Sequence, residues 1–323
     1  MRLVVWVSVV FPVLYSQGTD ACPDECYCGE SFYCNGTEVN CGVTGLIGVP
    51  INIPRDTCYL YLGNNKITTL QNGSFDELTN LRRLYLNSNR ITTLKNGIFD
   101  QLANLHILSL DDNEIAILPN GFFDVLTNLQ FLYFWENRIT TLPNGIFDEL
   151  TNLKTLNLRS NKIATLPNGI FDALTKLQTL NLGINNITTL PNGIFDALTK
   201  LQKLELYGNP LICNCPLVDI IRLAKRRRLQ LAGYPSCQNP VTLRNTWLND
   251  LILQEIVCDS DSTTGITSAK TTVPDSTTGS TGVDTTVTDF IPVSTDAETV
   301  FSTITGFGKY STCTKHFEHC IKH

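Results

Sequence analysis

A stretch of 24 residues repeats without a break from Leu81 to Lys200, and each copy opens on the same phrase, L-x-x-L-x-L-x-x-N-x-I-x-x-L, at Leu81, Leu105, Leu129, Leu153, Leu177 and Leu201. A fixed period of this length means that the unit of folding is one repeat, and that one repeat cannot bury its own leucines. The core therefore exists only by stacking, and the chain becomes a curved solenoid that presents one broad surface.

The phrase has a physical reading. Leu84 and Leu86 alternate with Arg83, Tyr85 and Asn87, a period of two that predicts a short strand with leucines on one face. Asn89 follows at the bend, and the same place holds Asn65, Asn113, Asn137, Asn161, Asn185 and Asn209. A column of stacked Asn side chains supplies partners for backbone groups of neighbouring turns that burial would otherwise leave unpaired. Ile91 and Leu94 turn back inward. A second column, Phe75, Phe99, Phe123, Phe147, Phe171 and Phe195, lies in N-G-x-F-D-x-L segments. There Asn-Gly marks a turn before a short helical or extended piece, so a Phe spine is expected on the convex side of the core.

The flanks set the compartment. Arg2, the apolar run from Leu3 to Leu14 and the small residues Ser16 and Gly18 have the order of a secretory signal over residues 1–18, and the run is too short to span a bilayer. Twelve cysteines suit an oxidising compartment. Six lie between Cys22 and Cys58, four between Cys213 and Cys258, and none between Leu81 and Leu201. A solenoid has two open ends that expose its leucines, and the cysteines sit where end caps belong. C-x-C with two later cysteines also has zinc-ligand spacing. The leader and the flanking position favour disulfides, and spacing alone leaves their connectivity open. From Asp259 to Thr305 nearly half the residues are Ser or Thr, a composition that cannot bury a core and predicts a disordered, O-glycosylated stalk. Nothing after Cys258 approaches a membrane span. The division expected is thus a leader at 1–18, a cysteine-rich cap at 19–56, repeats at 57–206, a second cap at 207–258 and a stalk and tail at 259–323. The chain is expected to be secreted, with N-glycans at the sequons of Asn35, Asn72 and Asn186.

The residues from Cys22 to Cys258 resemble the extracellular leucine-rich repeat family with cysteine-rich flanking caps. Within it they look most like the variable lymphocyte receptors of jawless vertebrates and their amphioxus relatives. The resemblance is carried by Ala21-Cys22-Pro23 through Cys28, by Gly36 to Cys41, by the modules Leu142 to Asp148, Leu166 to Asp172 and Leu190 to Asp196, and by Gly208-Asn209-Pro210 with Cys213 and Cys215. It implies an α/β leucine-rich repeat solenoid with a curved, parallel concave sheet and two disulfide-bonded caps. It also implies the pairs Cys22–Cys28, Cys26–Cys41, Cys213–Cys237 and Cys215–Cys258. Cys34 and Cys58 have no counterpart in that pattern, and both lie near the start of the solenoid, so a third N-cap disulfide is expected between them. The span from Cys237 to Cys258 is short, closer to the caps of adhesion and guidance proteins than to the protruding caps of the lymphocyte receptors.

Catalysis has little to stand on. His106 is the only histidine before the tail, and no nucleophile, phosphate loop or metal motif accompanies it. No cofactor is expected. The Cys313, His316, His319, Cys320 and His323 cluster has metal-ligand types, yet it follows a stalk with no core to organise it. Cys313 and Cys320 can pair with each other or across chains, which would link an oligomer. Arg222, Lys225, Arg226, Arg227 and Arg228 fall on a cap helix and read as a solvated basic face or an acidic-glycan contact. A net charge of −6 argues against nucleic acid.

The concave surface is the best candidate. Its outward strand positions line up as Arg83, Ile107, Phe131, Thr155, Thr179, Lys203, then Tyr61, Tyr85, Ser109, Tyr133, Asn157, Asn181, Glu205, then Asn87, Asp111, Trp135, Arg159, Gly183, Tyr207. These residues differ in size and charge on a framework that hardly changes. Phe131, Tyr133 and Trp135, flanked by Asp111, Asp112, Glu136 and Arg159, are expected to be exposed and to have the composition of a binding hot spot. With Arg83, Tyr85 and Ile107 they form the expected site for a protein or glycan ligand. The resemblance implies immune-type recognition, and the alternative is an adhesion or matrix protein with one fixed partner.

Overall fold

A computed structural model describes residues 22–251. The expected leader, Cys258, the stalk and the Cys/His cluster of the tail lie outside the described residues.

Seven short strands carry the repeats: β3 (Thr57–Tyr61), β4 (Arg83–Tyr85), β5 (Ile107–Ser109), β6 (Phe131–Tyr133), β7 (Thr155–Asn157), β8 (Thr179–Asn181) and β9 (Lys203–Glu205). They pair in parallel and in chain order, each residue opposite the one 24 positions on from β3 to β9. The sheet is prolonged at both ends. On one side β1 (Tyr27–Glu30) and β2 (Thr37–Asn40) form a hairpin whose second strand pairs with β3. On the other, β10 (Gln230–Ala232) pairs with β9. Each cap thus pairs the backbone edge that the terminal repeat strand would leave open and moves the end of the sheet onto a cap strand.

The inward positions are fully buried: Leu84, Leu108, Leu132, Leu156, Leu180 and Leu204 show no exposure. The Phe spine is present, with Phe75, Phe99, Phe123, Phe147, Phe171 and Phe195 all buried. Neighbouring rings from Phe123 to Phe195 stack at 6.1 to 6.3 Å. Between Phe99 and Phe123 the spine passes through Phe122, 5.3 and 5.1 Å from each, because this repeat has Phe where Ser74, Ile98, Ile146, Ile170 and Ile194 stand in the others. The segments around the spine are successive hydrogen-bonded turns rather than helix. Gly145, at φ 69°, shows why Asn-Gly opens them, since that conformation strains an L side chain.

The Asn column holds the turns together. Asn89 Nδ2 donates to Leu62 O at 2.9 Å and to Leu86 O at 3.1 Å, and its Oδ1 accepts from Ile67 N at 3.0 Å. Asn113, Asn137, Asn161, Asn185 and Asn209 repeat the pattern on the turn before. Asn65 extends it into the N-cap, where Oδ1 accepts from Thr44, Gly45 and Leu46 N. A second, exposed Asn row does similar work on the far side of each turn: Asn104, Asn128 and Asn152 donate to Thr79, Ala103 and Thr127 O.

Three disulfides staple the N-cap: Cys22–Cys28, Cys26–Cys41 and Cys34–Cys58. The last ties the cap hairpin to β3, so the cap and the first repeat strand are one covalent unit. In the C-cap, Cys213 pairs with Cys237, and Cys215 is also disulfide-bonded. The cap helix α1 (Cys215–Arg227) starts at Asn214, whose Oδ1 accepts from Leu217 N, with Pro216 in the first turn. Its buried side is Leu217, Val218, Ile220, Ile221 and Ala224. Arg227 anchors it to the last repeat by donating to Phe195, Asp196 and Leu198 O.

The residue before each ladder Asn adopts a left-handed conformation, at Asn64, Ser88, Asp112, Glu136, Ser160 and Ile184 with φ between 51 and 58°. Most of these side chains tolerate it, but Ile184 is β-branched and exposed.

Two outcomes follow from this architecture. Asn137→Ala leaves the buried Ile115 amide without its acceptor, at roughly 1–3 kcal/mol, and takes one of two donors from each of the Leu110 and Phe134 carbonyls, which keep Asn113 and Asn161, at about 0.5–1.5 kcal/mol each. Chemical denaturation is expected to show it losing as much stability as Phe147→Ala, for which about 3–5 kcal/mol is the usual loss. Ile184→Asn is expected to raise stability by about 0.5–1 kcal/mol by relieving the left-handed strain, and an unchanged or lower unfolding midpoint would count against that strain.

Candidate functional site

The strands place every second residue on the concave face, and the parallel register turns those residues into columns. Phe131 and Tyr133 stand on the middle repeat strand and Trp135 just beyond its end, with Leu132 and Phe134 buried behind them. All three aromatics are half-buried rather than exposed. Adjacent strands lie about 4.8 Å apart, so side chains of this size cover one another.

Asp111 departs further from expectation. It faces the same surface yet is only 7% exposed, because it is a short side chain in the column beside Trp135. Its carboxylate accepts the hydroxyl of Ser109, which is itself buried. Burial pushes the Asp111 carboxyl above its usual range; the Ser109 hydroxyl opposes this, and Asp112 and Glu136 add to it. Asp112 and Glu136 occupy the left-handed positions at the strand exits, and backbone bonds lock them to the next repeat, Asp112 N to Trp135 O and Glu136 N to Arg159 O, both at 2.9 Å. Burial also raises the phenols of Tyr85 and Tyr133.

Arg159 bridges two groups. Its Nη1 lies 3.7 Å from Glu136 Oε1, and its Nε donates to Tyr207 Oη at 2.8 Å. Tyr207 reaches across two strands because its ring lies over Gly183, where a Cβ would come within 2.7 Å, and against Gly233, where it would come within 2.1 Å. Tyr207 was in the columns but not in the expected site, and the cue was a glycine in a column of side chains.

The N-terminal end holds a second aromatic group. Tyr61 and Tyr85 stack with centroids 4.8 Å apart and planes 2° apart. Arg83 lies over the Tyr59 ring at 4.4 Å, and Tyr33 stacks on the same ring at 6.4 Å. Tyr59 escaped the sequence columns although it stands 24 residues before Arg83. Ile107 sits half-buried between Arg83 and Phe131 in the first column. Towards the C-terminal end the face turns polar: Thr155, Asn157, Thr179 and Asn181 lead to Glu205, which accepts from Asn181 Nδ2 at 2.8 Å and pairs with Lys203.

The other expected sites lie elsewhere. Asn35, Asn72 and Asn186 are exposed and outside the columns. On the cap helix Arg222 pairs with Asp219 at 3.0 Å and Arg227 is taken up by repeat carbonyls, leaving Lys225, Arg226 and Arg228 exposed. His106, outside the face, keeps a buried Nδ1 with no hydrogen-bond partner. Among the described residues no group of three His, Cys, Asp or Glu is placed to hold a metal ion.

The leucine rich repeat family model matches five overlapping stretches, residues 56–115, 79–134, 103–163, 127–183 and 151–211. Over these stretches the chain is built of leucine-rich repeats. Similar curated proteins include leucine-rich repeat-containing protein 3 of Bos taurus, 41% identical over 64 residues, which are 20% of this chain and 24% of that one. Leucine-rich repeat-containing protein 3B of Homo sapiens is 35% identical over 77 residues, 24% and 29% of the two chains. Biglycan of Xenopus laevis is 42% identical over 65 residues, 20% and 16% of the two chains. The matched stretch thus spans less than a third of each relative. Among solved structures, a TLR13–ssRNA13 complex is 35% identical, with a TM-score of 0.45, over 47% of this chain and 22% of that one.

Because the native Asp111 carboxyl holds its proton more tightly than in the unfolded leucine-rich repeat chain, its contribution to stability grows as pH falls through its raised pKa towards the ordinary carboxylate range. Above that range its ionised form is a burdened, desolvated charge. Asp111→Asn is therefore expected to be more stable than the parent at neutral pH, with the gap closing on acidification. Urea unfolding of both proteins at a series of pH values checks this, and a pH-independent gap would contradict it.

Proposed function

We propose that this leucine-rich repeat protein is a non-enzymatic recognition protein, secreted or held at the cell surface, that binds a protein or glycan ligand on its concave face in the manner of the variable lymphocyte receptors. The observation that carries the reading is the contrast between framework and face. Leucines, Asn ladder and Phe spine recur at every repeat, while the positions on the same strands that face outward run from Thr to Trp and from Asp to Arg. Packing does not require that diversity. Aromatic anchors at the centre of a patch, ringed by polar groups, are the usual composition of a binding hot spot. The three sequon Asn residues stand outside the columns, so glycans there leave the face open. The disulfides support an oxidising compartment.

A second reading, an adhesion or matrix protein with one fixed partner, is favoured by the short span from Cys237 to Cys258. The two differ in one respect that sequencing of transcripts from several individuals measures. Outward positions vary widely in the first case and hardly at all in the second.

Trp135→Ala and Tyr133→Ala are each expected to weaken binding of a ligand recovered from an array of extracellular proteins and glycans by about 2 kcal/mol or more, with melting curves close to the parent's. Lys95→Ala, exposed and off the sheet, is expected to change neither. If Trp135→Ala leaves affinity intact while substitutions around Arg226 abolish it, the partner sits on the C-cap instead.

A further inference from the structure

We infer that the centre of the concave face takes a cationic side chain, a Lys or Arg on a protruding loop of a protein partner, seated between the aromatic ridge and the carboxylates of Asp111, Asp112 and Glu136. This rests on the concave-face reading above and narrows the ligand that face accepts.

The charge inventory points this way. Three carboxylates occupy two successive strand exits, and the parallel register sets Asp111 beside Trp135. Among the described residues one cation answers them: Arg159, 3.7 Å from Glu136 and already committed to Tyr207. Among the described residues Asp111 and Asp112 form no ion pair, and Asp111 has only the Ser109 hydroxyl and backbone for partners. The nearest outward cation on the N-terminal side, Arg83, is drawn away over the Tyr59 ring. The centre is therefore a negative field in a partly desolvated place, where Coulomb attraction is stronger than in open water.

The aromatic residues add the second half of the match. A guanidinium or ammonium over the face of Trp or Tyr gains a cation–π interaction that grows as the site dries. The molecule uses that pairing at its own end, where Arg83 lies on Tyr59 at 4.4 Å. Half-buried Phe131, Tyr133 and Trp135 offer rings beside the unpaired carboxylates of Asp111 and Asp112. Polyanions are disfavoured, because a phosphate or sulfate brought to Trp135 meets Asp111, Asp112 and Glu136. A loop carrying one central Lys or Arg supplies what the face lacks and buries its alkyl stem on the aromatic rings.

The experiment selects binders from a library of a small helical scaffold that displays a randomised eight-residue loop, using the full chain as target. Binders whose affinity falls with Trp135→Ala define the concave-face class. In that class a Lys or Arg is expected to recur. Changing it to Gln should lower affinity tenfold or more, and so should the double variant Asp112→Asn/Glu136→Gln, whose positions are exposed and whose melting curve should match the parent's. The reversed chain, Asp112→Lys/Glu136→Lys, is expected to select loops with Asp or Glu in place of the cation. Concave-face binders that lack a cation, or that change less than twofold when either charge is removed, overturn the inference while leaving the concave-face reading intact. If no selected binder responds to Trp135→Ala, the concave-face reading fails and the inference fails with it.

Discussion

The Asn ladder is the interaction on which the rest of the molecule depends. A solenoid turn this tight buries backbone groups at the bend that no strand or helix can satisfy, and an unpaired buried amide or carbonyl is costly. One carboxamide per repeat resolves this, because it alone among side chains of its size carries both two donors and an acceptor. Each Asn donates back to the preceding repeat and to its own, and accepts from a backbone N–H of the preceding turn. The bonds cross repeat boundaries, so they fix spacing and register as well as local shape. From that register come the Phe spine, the buried leucines and the columns of the concave face.

The same geometry explains why the face can vary without harm. Inward side chains and the ladder carry the stability, and outward ones rest on a sheet that is already paired. Variation there is limited mainly by crowding between strands. Asp111 shows what crowding does: a short acidic side chain beside Trp135 loses its water and shifts its titration. Tyr207 shows the converse, since glycines at 183 and 233 leave room for a ring that reaches over to Arg159. Face chemistry is set by neighbours in the stack as much as by the residues themselves.

The caps close the ends by continuing the sheet, and their disulfides fasten that continuation. Cys34–Cys58 joins the first hairpin to a repeat strand, and Arg227 ties the C-cap helix to carbonyls of the final repeat turn. The boundary between cap and repeat is therefore a change in composition more than a mechanical joint. The basic residues of α1 (Cys215–Arg227) are partly used in this attachment and sit at the helix C-terminus, where cations also offset the dipole.

Much of this was legible in the chain because each repeat states its own rules. Strand leucines, ladder Asn and spine Phe have fixed spacing, and spacing is what a sequence displays. The outward columns followed from the same period. What the sequence did not show is how neighbouring columns meet. Tyr59 does not stand out in the chain because the phrase is imperfect before Leu81, with Thr57 in place of its opening Leu. The chain alone suggests exposed aromatics at 131, 133 and 135 and gives no sign that Asp111 is buried, because burial on the concave face depends on side chains 24 residues away in the chain and about 4.8 Å away in space. The left-handed strain at Ile184 depends on a backbone angle that the phrase does not spell out. Local pattern decided the turns, the strands and the need for caps. Only stacking decided which outward residues lose water and which charges find partners, because those depend on contacts between repeats.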